Sequence, residues 1–216
     1  MIVVPYCAVE AAVPVSTPNE GIGDAQVSSI EAHGLRVFYS EVPGVHSDAL
    51  TIQADALRFH AVVAAIFREA AVVQFRFPTT LEDIAALRDH IEQHAEEYRD
   101  FLSRVRDLVQ MEIRLAGASS QRPSATGREY LLNRQAATAA EEKQANEVHA
   151  ASKDLIREWK ARKTQGAIRC YALVRRDEAD RFRQRIESVL SSNPELQGRV
   201  SGPWPATEFF DVTAKP

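Results

Sequence analysis

The sequence predicts an α+β fold of two domains, and three observations lead to this prediction. Several short segments alternate apolar and polar residues, which is the period of a strand with one buried face. Other segments place apolar residues three and four positions apart, as an amphipathic helix does. The length of 216 residues suits two small domains or one large one.

The first domain is expected at residues 1–80. Strands are predicted at 2–9, 35–42 and 71–79 and a helix at 54–70, with a Pro- and Gly-containing loop at 14–34. In the strand 71–79, Phe75 and Phe77 share one face, and Arg76 lies on the other. In the helix 54–70, Leu57, Val62 and Ile66 are expected to form the stripe that packs on the core.

A connecting helix is predicted at residues 81–104. Thr79 or Thr80 is expected to cap its start, because a hydroxyl can accept from the free N–H groups of the first turn. His90 and His94 are four apart and share a face of this helix. Two imidazoles without a cysteine partner are a poor zinc site, so a solvated face is the preferred interpretation.

The second domain is expected at residues 105–216. The pattern predicts, in order, a strand at 105–116, a loop at 117–127, a long helix at 128–163, a strand at 168–175, a helix at 178–191 and short strands at 196–201 and 207–213. This order is close to a ferredoxin-like split βαβ arrangement with an enlarged first helix.

The most constrained stretch is Gly202-Pro203-Trp204-Pro205. Its prolines fix their own φ and bias the residue before them towards extended backbone, so the Trp204 indole is held in one direction. One interpretation is a rigid turn between the last two strands that places Trp204 in the core. The other is a loop that displays Trp204 to a partner protein.

The composition and the motifs of the chain argue against several classes of function. The net charge of −4 argues against general nucleic-acid binding, and no run of about 18 uncharged apolar residues predicts a membrane span. Cys7 and Cys170 form no CxxC motif and fit a reduced, cytoplasmic setting as packed apolar groups. No phosphate loop, metal quartet or nucleophile with a nearby base is evident, so we expect no cofactor, no metal and no catalytic residue.

Five motifs, in order along almost the whole chain, resemble the gas vesicle protein family GvpL/GvpF. They are Phe75-Arg76-Phe77-Pro78-Thr79 after a helix with His60, the strand with Glu112, the helix start Gly127-Arg128-Glu129-Tyr130-Leu131, the strand with Tyr171 followed by Phe182, and Gly202-Pro203-Trp204-Pro205 with Phe209. Two departures stand out: Pro78 replaces the family's usual glycine, and Ala206-Thr207 replace a Pro-Tyr pair.

The resemblance implies two α+β domains, the second ferredoxin-like, in a non-enzymatic accessory protein of gas vesicle formation. It implies a cytoplasmic and gas vesicle location, and binding to the small hydrophobic shell protein GvpA and to other gas vesicle accessory proteins. The motif residues expected to contact a partner or to be structural are Phe75, Arg76, Phe77, Glu112, Tyr130, Trp204 and Phe209. One specific hypothesis pairs Arg76 with Glu112.

Two alternatives remain open at this point. A small-molecule enzyme would fit the ferredoxin-like scaffold, but fold analogy alone supports it. A structural oligomer built on the helix at 128–163 would self-associate without any client protein. For the assembly factor itself, the client can add a strand to an open sheet edge or lie against a helix.

Overall fold

The computed structural model describes residues 1–44, 49–116, 127–164, 167–193 and 196–210. The chain divides into two compact units. The first contains residues 1–106 and the segment that begins at Pro205, and the second contains residues 107–204. The helix expected to connect the domains therefore packs inside the first unit, and so does the segment after Trp204.

The first unit is a four-stranded antiparallel sheet with two helices. Its elements are β1 Ile2–Glu10, β2 Ser28–Ala32, β3 Leu35–Val42, α1 Ala49–Glu69, β4 Val73–Gln74 and α2 Ile84–Val105, and the strand order is β2-β3-β1-β4. Strand β1 is buried from Val3 to Val9, so both of its faces are covered. The ring of Tyr6 on β1 packs at 5.3 Å from that of Phe59 on α1.

The predicted loop at 14–34 contains one strand that the composition concealed. Strand β2 pairs with β3 through a two-residue turn, because Ala32 lies opposite Leu35. His33 and Gly34 form that turn with φ of 53° and 79°. Positive φ at both positions is the geometry of the turns that suit tight hairpins, which explains how β2 forms directly after a Pro- and Gly-rich stretch.

The start of α2 differs from the prediction for a physical reason. Leu81 exchanges two backbone hydrogen bonds with Val3, at 2.8 and 2.9 Å, and is therefore held extended beside β1. The helix begins at Ile84, and Asp83 is its cap, since its carboxylate accepts from the N–H of Ala86 at 2.8 Å. The predicted caps, Thr79 and Thr80, are wrong.

The second unit has the element order and strand order of a ferredoxin-like fold. Its elements are β5 Leu108–Ala116, α3 Gly127–Ser152, β6 Ile156–Thr164, β7 Ala167–Arg175, α4 Ala179–Ser192 and β8 Gly198–Trp204. The sheet is antiparallel in the order β6-β7-β5-β8. Of the predicted loop at 117–127, residues 117–126 lie outside the described residues.

The predicted helix at 128–163 is too long. It ends at Ser152, a 3₁₀ turn follows at Lys153–Leu155, and the rest is strand β6. Strand β6 pairs with β7 along nearly its whole length, so long-range pairing outweighs the helical propensity of its Lys, Arg and Ala residues. Strand β6 is the second strand of the ferredoxin-like βαββαβ order, and the predicted order of elements lacked it.

The predicted chain ending is also corrected. Gly202, Pro203 and Trp204 are the last residues of strand β8 and not a turn between two strands. Thr207–Phe209 form a 3₁₀ turn where a strand was expected. The remainder of that predicted strand, 211–213, lies outside the described residues.

Candidate interaction surfaces

The outer side of α1 carries a continuous exposed apolar stripe, which we call the α1 stripe. It consists of Leu50, Ala54, Leu57, Ala61 and Ala64. Leu50 is 81% exposed and Leu57 is 66% exposed. The members are alternately four and three residues apart, which places them on one helix face and is the spacing used when one helix packs along another.

The core does not explain this stripe, because other residues of α1 face the sheet. Phe59, Val62 and Ile66 are buried and supply the contacts of α1 with the rest of its unit. The prediction that Leu57 shares the buried stripe is therefore wrong. The signal was present in the sequence: α1 has apolar residues on more of its circumference than a helix with one buried face requires.

A cavity of about 310 Å³ borders the α1 stripe. It is lined by Pro18, Asn19, Glu20, Arg58, Ala61 and Val62. Arg58 lies 3.1 Å from Asp24 and 3.6 Å from Glu20, so an ion-paired guanidinium closes one side of this cavity. An apolar stripe beside a cavity of this size can receive both a helix and one of its side chains.

By length and composition, Leu50–Glu69 would also pass as a membrane span, and it is the one helix to do so among the described residues. A core helix of a soluble protein passes the same test. Phe59, Val62 and Ile66 account for the apolar character of the inner side of α1. These buried residues do not account for the exposed apolar residues of the α1 stripe, which need a separate explanation.

In the second unit, Gly202 and Pro203 form a β-bulge. Gln110 pairs with Trp204 and Glu112 with Ser201, so two residues of β8 lie opposite the single residue Met111. Gly202 has φ of +120°, and a Cβ there would lie 2.8 Å from the Gln110 carbonyl oxygen. Glycine is therefore required for both conformation and space. Arg183 of α4 donates a hydrogen bond to the Gly202 carbonyl.

The bulge leaves Trp204 at the end of β8 with 48% of its surface exposed. The Trp204 indole Nε1 lies 3.4 Å from the Ser201 hydroxyl, a long contact. The interpretation that places Trp204 in the core is therefore wrong. Trp204 is a second, smaller candidate contact for a partner.

The first family motif divides between core and surface. Phe75 is buried, and its ring is edge-on to that of Tyr98 with 6.1 Å between the ring centroids. Phe77 is half-buried, and its ring centroid lies 5.5 Å from that of Phe59. Arg76 is exposed. After Phe75 the chain turns, with the Thr79 N–H donating to the Arg76 carbonyl at 2.7 Å, which is why β4 is far shorter than the predicted strand 71–79.

The remaining motif residues are spread over the two units. Glu112 lies 3.5 Å from Arg169 on the neighbouring strand, and its hypothetical pairing with Arg76 stays a prediction. Tyr130 belongs to α3, and its side chain is outside the described residues. Phe209 is fully buried, and its carbonyl accepts from Arg104 at 2.7 Å.

His90 and His94 are engaged with groups inside the first unit. His90 Nε2 lies 2.8 Å from the Tyr98 hydroxyl, and His94 Nδ1 lies 2.9 Å from the His90 carbonyl. Burial, with a smaller contribution from His94, lowers the pKa of His90, and burial raises the pKa of Tyr98 to about 12. Each imidazole thus has one nitrogen occupied by a protein group. Among the described residues no three His, Cys, Asp or Glu side chains come together.

Both cysteines are free thiols packed in the core, as the sequence predicts. Burial raises the pKa of the Cys7 thiol and raises that of Cys170 to about 12. A thiol with so high a pKa is not a nucleophile near neutral pH, since the thiolate is the reactive form.

Comparison with known proteins identifies the fold and the family. The model of the gas vesicle synthesis protein family GvpL/GvpF matches residues 4–211. The crystal structure of GvpF from Anabaena sp. PCC7120 is similar with a TM-score of 0.84 at 13% identity, over 99% of this chain and 97% of that one. The crystal structure of GvpF from Microcystis aeruginosa is similar with a TM-score of 0.75 at 11% identity, over 98% of this chain and 99% of that one. No curated protein sequence matches this chain.

Proposed function

Because this chain belongs to the gas vesicle synthesis protein family GvpL/GvpF, we propose that it is an accessory protein that binds the hydrophobic shell protein GvpA while vesicles form. The family supports a role in gas vesicle synthesis. The client, the absence of catalysis and a cytoplasmic, vesicle-associated location are parts of the proposal. Other gas vesicle accessory proteins are the next candidate partners.

The observation that carries the proposal is the α1 stripe. Its two leucines expose most of their surface to solvent, and burying a leucine contributes about 1.5–3 kcal/mol. Its three alanines permit a close approach of another helix. A client that is itself very hydrophobic would bury this stripe and part of its own apolar surface together, as amphipathic helices do in a groove.

Three of the four sheet edges, β6, β2 and β4, are weaker candidates for the client. Strand β6 is an edge strand of the second sheet and carries Arg157, Lys160, Arg162 and Lys163. Basic residues on an edge strand oppose pairing with another strand. Strands β2 and β4, the edges of the first sheet, have five and two residues, which limits the ladder they can offer. At these three edges, the features favour docking on a helix over strand addition.

The proposal that the protein is not an enzyme is supported by the state of its reactive groups. Both thiols are buried with raised pKa values. The imidazole Nε2 of His90 is engaged by Tyr98, and burial favours its neutral form.

The test is co-expression of this chain with the gas vesicle shell protein, followed by affinity capture of the chain and an assay of soluble shell protein. We expect the shell protein to be captured and its soluble fraction to increase over expression alone. A chain that is folded but captures no shell protein, with the soluble fraction unchanged, contradicts the proposed function.

A further inference from the structure

The cavity beside the α1 stripe has the size of a small binding pocket. Its volume of about 310 Å³ lies at the lower end of the roughly 300–1,000 Å³ that ligand pockets have. Ala61 and Val62 of α1 line one part of it, and Ala61 is also a member of the α1 stripe. The chain at Pro18–Glu20 lines another part. The cavity is therefore continuous with the exposed apolar stripe.

The segment that contributes Pro18–Glu20 is held by hydrogen bonds on both sides of these residues. Before them, the Ser16 N–H donates to the carboxylate of Glu69, at the end of α1, at 2.9 Å. After them, the N–H of the buried residue Ile22 donates to the Tyr6 hydroxyl at 2.9 Å. This wall of the cavity is thus in place without a partner, and a preformed site lowers the cost of binding.

Two carboxylates hold the Arg58 guanidinium at one side of the cavity. Its nitrogens lie 3.1 Å from Asp24 and 3.6 Å from Glu20. Asp24 reaches Arg58 from a left-handed backbone with φ of 57°, which is uncommon for residues other than glycine. Exposed ion pairs add little to the stability of a fold. Their consequence here is to fix the orientation of a long side chain that lines the cavity.

The lining favours one class of side chain as the occupant. The charge of Arg58 is already balanced by Asp24 and Glu20, so neither an anion nor a cation finds a free counter-charge. An aliphatic side chain would remove water from the guanidinium and offer it no interaction in return. An aromatic ring, by contrast, can pack on Ala61 and Val62, and its negative face attracts the guanidinium.

We propose that this cavity binds an aromatic side chain of the polypeptide that docks on the α1 stripe. The docking of that polypeptide rests on the proposed function, whereas the affinity of the cavity for an aromatic ring does not. A large aromatic side chain that fills a pocket is a common anchor of protein interfaces. The client is therefore expected to carry such a ring on the segment that contacts α1.

The first test compares two probes of the same ring size, fluorobenzene and fluorocyclohexane, with the purified full chain. The ¹⁹F shift and line width of each probe report its binding. We expect saturable binding of fluorobenzene, and binding of fluorocyclohexane that is about two- to fivefold weaker because it lacks the cation–π contact. No binding of fluorobenzene, or equal binding of the two probes, overturns the proposal.

A pair of variants locates the bound ring. Ala61→Leu adds an isopropyl group to the cavity and should abolish the binding of fluorobenzene. Ala64→Leu makes the same change one turn further along the α1 stripe, outside the lining of the cavity, and should bind like the wild type. Both positions are exposed, so both variants should fold, which circular dichroism checks. Equal affinities of the two variants for fluorobenzene overturn the proposal.

The variant Arg58→Leu tests the contribution of the guanidinium. It keeps an apolar side chain at the position and removes the charge. Fluorobenzene should bind about two- to fivefold more weakly, as expected for loss of an exposed cation–π contact, and fluorocyclohexane should not weaken. The control is Arg181→Leu, at an exposed position outside the cavity, which should bind both probes like the wild type. Unchanged binding of fluorobenzene to Arg58→Leu overturns the choice of an aromatic ring.

The last experiment repeats the capture of the shell protein with either probe in excess. If the client places a ring in the cavity, fluorobenzene should reduce the amount captured and fluorocyclohexane should not. Capture that saturating fluorobenzene leaves unchanged overturns the inference and leaves the proposed function intact. Absence of capture without any probe contradicts the proposed function, and the probe measurements on the purified chain still decide whether the cavity binds an aromatic ring.

Discussion

The carbonyl oxygen of Gln110 lies 2.8 Å from the position that a Cβ on Gly202 would occupy. The Sδ of Met111 lies 3.0 Å from the same position. Two strands thus approach so closely at the bulge that a methyl group cannot be added without moving backbone. The bulge, in turn, is what brings Trp204 to its half-exposed position at the end of β8.

The first prediction concerns Gly202. Gly202→Ala adds a methyl group against backbone and places an alanine at a φ of +120°, so we expect a loss of about 2 kcal/mol or more in the free energy of unfolding. Gly44→Ala is the control, because nothing lies within 4 Å of a Cβ there. Denaturant unfolding should show the loss for the first variant alone, and equal stability of the two would contradict the bulge geometry.

The second prediction concerns the buried network around Tyr6. The Tyr6 hydroxyl donates to Ser40 and accepts from the Ile22 N–H, both at 2.9 Å, and a Cβ on Gly21 would lie 2.1 Å from it. Tyr6→Phe should cost about 1–3 kcal/mol by leaving partners unsatisfied. Gly21→Ala should also destabilise, by about 1–3 kcal/mol through overpacking.

Combining these two changes gives a sharper result. Since Tyr6→Phe removes the atom nearest to the added methyl group, the double variant should lose less stability than the two single variants together. Thermal or denaturant unfolding of the four proteins of this cycle measures that coupling. Strict additivity would show that the hydroxyl does not limit the space at Gly21.

The third prediction is a dependence of stability on pH. The pKa of His90 is lowered in the folded protein by burial and by His94, so the folded state binds fewer protons than the unfolded state. The contribution of neutral His90 to the stability of the fold is fully present above the ordinary histidine pKa of about 6.5. It is lost as the pH falls from there towards the lower pKa of His90 in the folded protein.

The melting temperature should therefore fall between about pH 7.5 and about pH 5 more in the wild type than in His90→Gln, which cannot be protonated. His94, the other imidazole in the stack, stays unchanged in both proteins. Parallel curves of melting temperature against pH for the two proteins would contradict the assignment to His90.

The fourth prediction contrasts two aromatic residues of the last motif. Phe209 is fully buried, so Phe209→Ala should cost about 3–5 kcal/mol. Trp204→Ala should cost less than half as much, because about half of Trp204 already faces solvent. Calorimetric unfolding of both variants makes the comparison, and a larger loss for Trp204→Ala would restore the interpretation that it belongs to the core.

Much of the fold can be predicted from the sequence, because the local pattern of apolar residues determines most of its helices and strands. Strands β1, β3, β5 and β7 and helices α2 and α4 are signalled by apolar periodicity, and the structure has them within a few residues of the predicted positions. Strand β6 was missed because its Lys, Arg and Ala residues favour a helix locally. Only its pairing with β7, a contact between distant positions, holds it extended.

The candidate surfaces were less predictable, since exposure depends on tertiary packing. Periodicity identified α1 as amphipathic but could not say which of its two apolar sides faces the sheet, so Leu57 was misplaced. The motif of Trp204 was identified, while its exposure follows from the two-against-one pairing of the bulge. The alignment of Arg114, Arg162, Arg169 and Arg199 across one sheet cannot be predicted from the sequence, because they lie on four strands that only the register aligns.

The most direct test of the proposed client surface is capture of the gas vesicle shell protein by Leu57→Gln, compared with Leu131→Gln. The two leucines are 66% and 59% exposed on helices of different units, and glutamine preserves helix propensity. If the shell protein docks on the α1 stripe, Leu57→Gln should weaken capture by at least about tenfold, as loss of an interface anchor does, while Leu131→Gln captures like the wild type. Undiminished capture by Leu57→Gln, with the fold intact, would contradict the account.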